Sequence, residues 1–174
     1  VCPLDVWLPD AVMQNIAAEN NLAETAFIVS TGEKYEIRWF TPTVEVDLCG
    51  HATLASAYVL FHELGYAKDQ INFFSPRSGT LQVKRNGTIL ALNFPVDSLQ
   101  EMPVLPEHAI GLSQKPNAIF KGKADYLFVY DTEAEIRALQ PDFEALKIHP
   151  VRGIIVTAPG ETVDFVSRFF GPAC

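Results

Sequence analysis

The run Asp47-Leu48-Cys49-Gly50-His51-Ala52-Thr53-Leu54-Ala55-Ser56-Ala57 concentrates the chemistry of this 174-residue chain and gives the strongest clue to its architecture. After Gly50 and through Leu64 there is no further glycine, no proline and no charge before Glu63. Apolar or small residues fill nearly every position, so the one-sided stripe of a surface helix is missing. A helix that is apolar all round is a buried one. His62 and Glu63 interrupt the run short of the ~20 apolar residues that span a bilayer. The pattern predicts a helix that starts near Gly50 and is enclosed by strands. Its first turn carries backbone N–H groups without helical partners and the positive end of the helix dipole. Such an end attracts a carboxylate or a phosphate. Cys49 and His51 stand there, and both exchange protons.

Upstream of the helix, residues 23–30 and 35–41 read as two strands joined by Thr31-Gly32-Glu33-Lys34. In the second strand Tyr35, Ile37, Trp39 and Thr41 share one face, and Glu36, Arg38 and Phe40 share the other. Pro42 ends it, and residues 44–48 lead into the helix. Further back, Leu8-Pro9-Asp10 opens a helix, with proline near the first turn where its missing N–H costs little. Val12, Met13, Ile16 and Ala17 fall at helical spacing, and Val1-Cys2 reads as the tail of a strand.

Downstream, Gly65 is a helix stop. Three strands follow over residues 71–75, 80–84 and 89–94, the last two joined by Asn86-Gly87, a strong hairpin signal. Residues 96–115 hold no clear strand and a short helix over 107–112. The pattern then restarts with strands over 118–121 and 126–131 and a helix over 132–139, opened by a Thr132/Glu135 capping box. Residues 141–146 add a helical turn. Strands over 153–158 and 163–170 are joined by Pro159-Gly160. The expected organisation is a first lobe over 1–100, a linker over 101–116 and the beginning of a second lobe over 117–174. Neither end resembles a natural terminus, so a fragment of a longer protein is expected.

Composition narrows the partners. The apolar fraction of 48% supports a substantial core. The net charge of −8 argues against nucleic acid, which needs clustered Lys and Arg. No basic amphipathic stretch points to a membrane surface. Cys2, Cys49 and Cys174 cannot all pair within one chain, which fits a reduced cytoplasmic protein. No dinucleotide or phosphate-cradling fingerprint is present, and no cofactor is expected.

Glu24 lies among Ala23, Thr25, Ala26, Phe27 and Ile28. A carboxylate with apolar neighbours is a candidate general acid–base group, since burial disfavours its charged form. The alternative is a strand-end glutamate facing water. His51 either handles a proton at the helix start or is a structural imidazole bonded to nearby backbone. Cys49 is either a thiolate favoured by the helix start or a small buried hydrophobe. Asp47 either orients a neighbour or caps the helix. Cys49 and His51 are only two metal donors, and His62, His108 and His149 have no ligand spacing, so no metal site is expected.

Three segments together resemble the phenazine-biosynthesis PhzF-like isomerase family: Asn21-Leu22-Ala23-Glu24-Thr25-Ala26-Phe27, Ile37-Arg38-Trp39-Phe40-Thr41-Pro42 and Glu45-Val46-Asp47-Leu48-Cys49-Gly50-His51-Ala52-Thr53. Val156-Thr157-Ala158-Pro159-Gly160 and Asp164-Phe165-Val166-Ser167-Arg168-Phe169-Phe170 resemble its second half. The resemblance implies an α+β fold of the diaminopimelate epimerase-like type. That fold has two similar lobes, each a curved sheet around a central helix, with the active site between them. It implies a cofactor-independent isomerase acting on a small anionic, carboxylate-bearing metabolite. Glu24 would be the acid/base and His51 would orient substrate or share the proton. Gly50, Ala52, Asp47 and Cys49 would line or support the substrate. A homodimer is also implied. A Cys49-dependent racemase or epimerase, and a non-catalytic small-anion binding protein, are the rival expectations. An Asp-Pro-Val-Thr-Gly-Ser-like segment of the family should follow Cys174.

Overall fold

The computed structural model describes residues 1–172, which form parts of two compact units, Val1–Pro95 and Val96–Cys174. Cys174, one of the three thiols discussed above, lies outside the described residues.

In the first unit the chain runs β1 (Cys2–Leu4), α1 (Asp10–Asn20), β2 (Thr25–Ser30), β3 (Tyr35–Phe40), β4 (Glu45–Val46) and α2 (Gly50–Tyr58). A π-helical turn over Val59–Glu63 extends α2, and β5 (Gln70–Ser75), β6 (Gly79–Asn86) and β7 (Ile89–Asn93) complete the unit. The strands form one seven-stranded sheet in the order β1-β2-β3-β5-β6-β7, with β4 pairing on β3. The β2–β3 hairpin is antiparallel, with Ala26 opposite Trp39 and Thr25 opposite Phe40. Gly87, at φ +62°, makes the tight turn between β6 and β7 that Asn86-Gly87 predicts.

β2 is buried from Thr25 to Val29 because both of its faces are covered. Phe27 joins Phe40 and the α1 residues Met13 and Ala17 in one cluster. Ala26 and Ile28 join Ile37, Trp39, Ile71, Phe73, Leu81 and Val83 in the other, which packs Ala52, Ala57, Leu60 and Phe61 from α2 and its extension. Alternation along β2 thus sends even-numbered residues toward α2.

The expectation of a helix buried on all sides is corrected. Ala52, Thr53, Ser56, Ala57, Leu60 and Phe61 are buried, but His51, Ala55, Tyr58 and His62 are exposed. Their spacing of four, three and four residues is one helical face. The burial of Thr53 and Ser56 costs little, because Thr53 Oγ1 donates to Cys49 O at 2.6 Å and Ser56 Oγ donates to Ala52 O at 2.7 Å.

In the second unit β8 (Gln100–Met102) precedes a 3₁₀ turn (Pro106–Ala109), β9 (Ala118–Lys121) and β10 (Asp125–Val129). Then come α3 (Glu133–Ala138), α4 (Phe143–Leu146), β11 (Gly153–Pro159) and β12 (Phe165–Phe170). The sheet order is β12-β11-β10-β9-β8, with only β10 and β11 parallel. Its core holds Ile119, Phe128, Ile136, Leu146, Ile154 and Val156. The division between units falls at Pro95, and residues 100–102, expected within a lobe end and linker, form a strand of the second sheet. A three-residue strand is too short to announce itself by alternation.

The Thr132/Glu135 capping box is present. Thr132 Oγ1 accepts from Glu135 N at 3.2 Å, and Glu135 Oε2 accepts from Thr132 N at 2.8 Å. Thr132→Ala is expected to lower stability by about 1 kcal/mol. Urea denaturation of the variant beside the parent checks this, with the midpoint moving and the slope unchanged.

Candidate active site

Glu24 directly precedes β2 and has the same parity as Ala26 and Ile28, so it is carried to the α2 side of the sheet. Its side chain is 20% exposed, and one carboxylate oxygen, Oε2, is covered and forms no well-aligned hydrogen bond among the described residues. That oxygen lies 3.1 Å from His51 Nε2. The distance suits an ion pair or a proton transfer, while the angles fall short of a directed bond. Covering a carboxylate oxygen carries a desolvation cost, and the His51 imidazole at 3.1 Å is the polar group beside it.

His51 is in the first turn of α2, on its exposed face, with 68% of the side chain accessible. Cys49 holds the N-cap position in extended conformation and is buried. Its Sγ lies 3.7 Å from His51 Nδ1. The imidazole therefore has the carboxylate at one ring nitrogen and the thiol at the other. One donor atom from each of Glu24, Cys49 and His51 lies within 4.8 Å of the other two. Glu24 and His51 line one cavity of about 350 Å³ with Ala23, Ala26, Ala52 and Ala55. Among the described residues no Lys or Arg lines it. Val1 and Leu22 complete the lining, so apart from one acid and one imidazole the wall is apolar.

The remaining candidates divide. Ala52 lines the cavity; Gly50, Cys49 and Asp47 are not among its lining residues. A Cβ on Gly50 would meet the Phe94 ring at 3.5 Å, an ordinary contact. Asp47 does not cap α2, which has no side-chain cap bond. Instead its carboxylate accepts from Arg77 Nη1 at 2.9 Å, and its backbone carbonyl accepts from Ser78 Oγ. Arg77 also reaches Glu45 Oε2 at 2.8 Å, and Glu45 takes two bonds from Arg38, at 2.7 and 2.8 Å. Arg38 in turn pairs with Asp10 at 2.9 Å, holding that carboxyl below its usual range. The Asp47 bond raises the Arg77 guanidinium, and the Glu45 bond raises that of Arg38. These ion pairs fix the segment between β4 and α2 that delivers Cys49 and His51. Local sequence offered no signal for Arg77 and Ser78, because the contact is made across about thirty intervening residues.

The family model described as "Phenazine biosynthesis-like protein" matches residues 1–174. A Pseudomonas aeruginosa protein named an uncharacterized isomerase is 51% identical over 99% of this chain and 66% of its own length. A crystal structure of a PhzF-family protein from Enterococcus faecalis aligns at a TM-score of 0.89 and 48% identity. That alignment covers 98% of this chain and 65% of that chain. The structure of a predicted epimerase from Pseudomonas aeruginosa aligns at 0.59 and 17% identity, over 89% of this chain and 62% of that one, and shows the fold alone. The chain thus spans just under two thirds of the length of these proteins.

Proposed function

This chain belongs to the phenazine biosynthesis-like (PhzC-PhzF) family, and from that membership we propose that the intact protein is a cofactor-independent isomerase that relocates a proton on a small carboxylate-bearing metabolite. The supporting observation is the covered Glu24 oxygen 3.1 Å from His51 Nε2 at the wall of a small apolar cavity. Glu24 takes a proton from carbon. The C–H electron pair moves into the adjoining unsaturated system of the substrate, and the proton returns to another carbon. Proton out equals proton in, so neither an electron acceptor nor a second substrate is needed. His51 faces Glu24 and steadies the carboxylate between the two transfers. The backbone N–H groups of the first turn of α2 stabilise negative charge as it develops. The four alanines leave room for a compact hydrocarbon portion.

A thiol-based racemase or epimerase is the second reading, favoured by the 3.7 Å separation of Cys49 Sγ and His51 Nδ1. The two part company in a paired experiment on the intact protein, followed by incorporation of solvent deuterium into substrate carbon. Cys49→Ala is expected to lose far less than the ~10²-fold that marks loss of a general acid–base group. Glu24→Gln is expected to exceed it. An active Glu24→Gln beside a dead but folded Cys49→Ala would transfer the chemistry to the thiol and overturn the proposal.

A further inference from the structure

Glu24, Cys49 and His51 present one carboxylate oxygen, one sulfur and one imidazole nitrogen within 4.8 Å of one another. Sequence spacing offered only two of these donors; folding supplies the third from the residue preceding β2. Mixed sulfur, nitrogen and oxygen donors suit zinc-class cations, whereas calcium and magnesium prefer oxygen alone. A zinc tetrahedron built from ordinary bond lengths has donor–donor edges of roughly 3.3–3.6 Å. Glu24 Oε2 and His51 Nε2 stand at 3.1 Å, so they need to part by only a few tenths of an ångström. From a separation of up to 4.8 Å the thiol must close by at most about 1.5 Å, within reach of side-chain rotation. The covered Glu24 oxygen has no aligned hydrogen-bond partner, so its lone pairs are available to a cation. Among the described residues no Lys or Arg lines the cavity to repel a dication or to compete for the carboxylate. The accessible side of His51 leaves a fourth position for water.

We propose that a zinc-class divalent cation binds Glu24, Cys49 and His51 and, by occupying the carboxylate and the imidazole together, holds the acid/base pair inactive. On binding, the Cys49 thiol releases its proton to solvent, so affinity rises with pH. Metal binding stands on the donor geometry alone; the inhibitory consequence rests on the isomerase reading above.

The test uses the intact protein with Cys2→Ser and Cys174→Ser, so that Cys49 is the only thiol among these residues. Zinc is titrated against a chromogenic chelator, and cobalt(II) serves as the spectroscopic probe. One zinc per chain is expected, with a thiolate-to-cobalt charge-transfer band. Cys49→Ser should abolish the band and weaken zinc binding at least about tenfold, as should Glu24→Gln and His51→Gln for the affinity. Circular dichroism and the thermal midpoint report that each variant is folded. Absence of stoichiometric zinc, or zinc binding unchanged by Cys49→Ser, overturns the proposal. Stoichiometric zinc with a fully active Glu24→Gln would overturn the isomerase reading and leave the metal site standing. No zinc with an inactive Glu24→Gln would do the reverse.

Discussion

Glu24→Gln in the intact protein is expected to reduce solvent-deuterium incorporation into substrate by about 10²–10⁴-fold, the contribution of a positioned general acid–base group. The substitution preserves the volume of the side chain and removes only its capacity to take a proton. The fold should tolerate it, because Oε2 has no aligned hydrogen-bond donor to lose. His51 lies 3.1 Å away and keeps a neutral neighbour. The expected signature is therefore a collapse in kcat with little change in KM, as when an interaction made only in the transition state is lost. Thermal stability measured alongside should stay level. Deuterium incorporation at the parental rate would remove Glu24 from the chemistry whatever its position in the cavity.

The first unit was legible where one face of an element differs from the other. Tyr35, Ile37 and Trp39 against Glu36 and Arg38 announced β3, and Asn86-Gly87 announced the β6–β7 turn. The parity of Glu24 with Ala26 and Ile28 could also be read, and it carries the carboxylate to the α2 side. The open face of α2 is hidden in the sequence for a definite reason. Ala55 on its exposed face and Ala52 and Ala57 on its buried face are the same residue type, and the buried Thr53 and Ser56 look polar. Small side chains conceal which face is in, so a helix with an open side looked enclosed. The π-helical turn over Val59–Glu63 has no proline or glycine to signal it. The expected helix over residues 107–112 is a single 3₁₀ turn, Pro106–Ala109. The Arg77 tether and the gathering of Glu24, Cys49 and His51 are tertiary, and no local window contains them. The resemblance paired the glutamate with the histidine; the distance between them belongs to the fold.

Trp39→Ala is expected to cost about 3–5 kcal/mol, the range for truncating a buried large aromatic. That is much of the ~5–15 kcal/mol that keeps an ordinary domain folded. Trp39 is fully buried and joins the parts that make the site. On one side its strand position pairs with Ala26, two residues beyond Glu24; on the other it pairs with Val46, which leads to Cys49 and His51. Loss of the indole therefore loosens both approaches at once, and alkylation of the buried Cys49, mapped by peptide mass, should accelerate. Trp39→Phe separates packing from polarity. The indole Nε1 has no acceptor among the described residues, and an unsatisfied buried donor carries a penalty of about 1–3 kcal/mol. Phenylalanine removes that donor while keeping most of the ring, so relief of the penalty offsets the smaller packing loss. Denaturant midpoints should place Trp39→Phe close to the parent and Trp39→Ala far below it. Equal losses in both variants would mean that the indole N–H is satisfied in solution and that packing is not what Trp39 chiefly contributes.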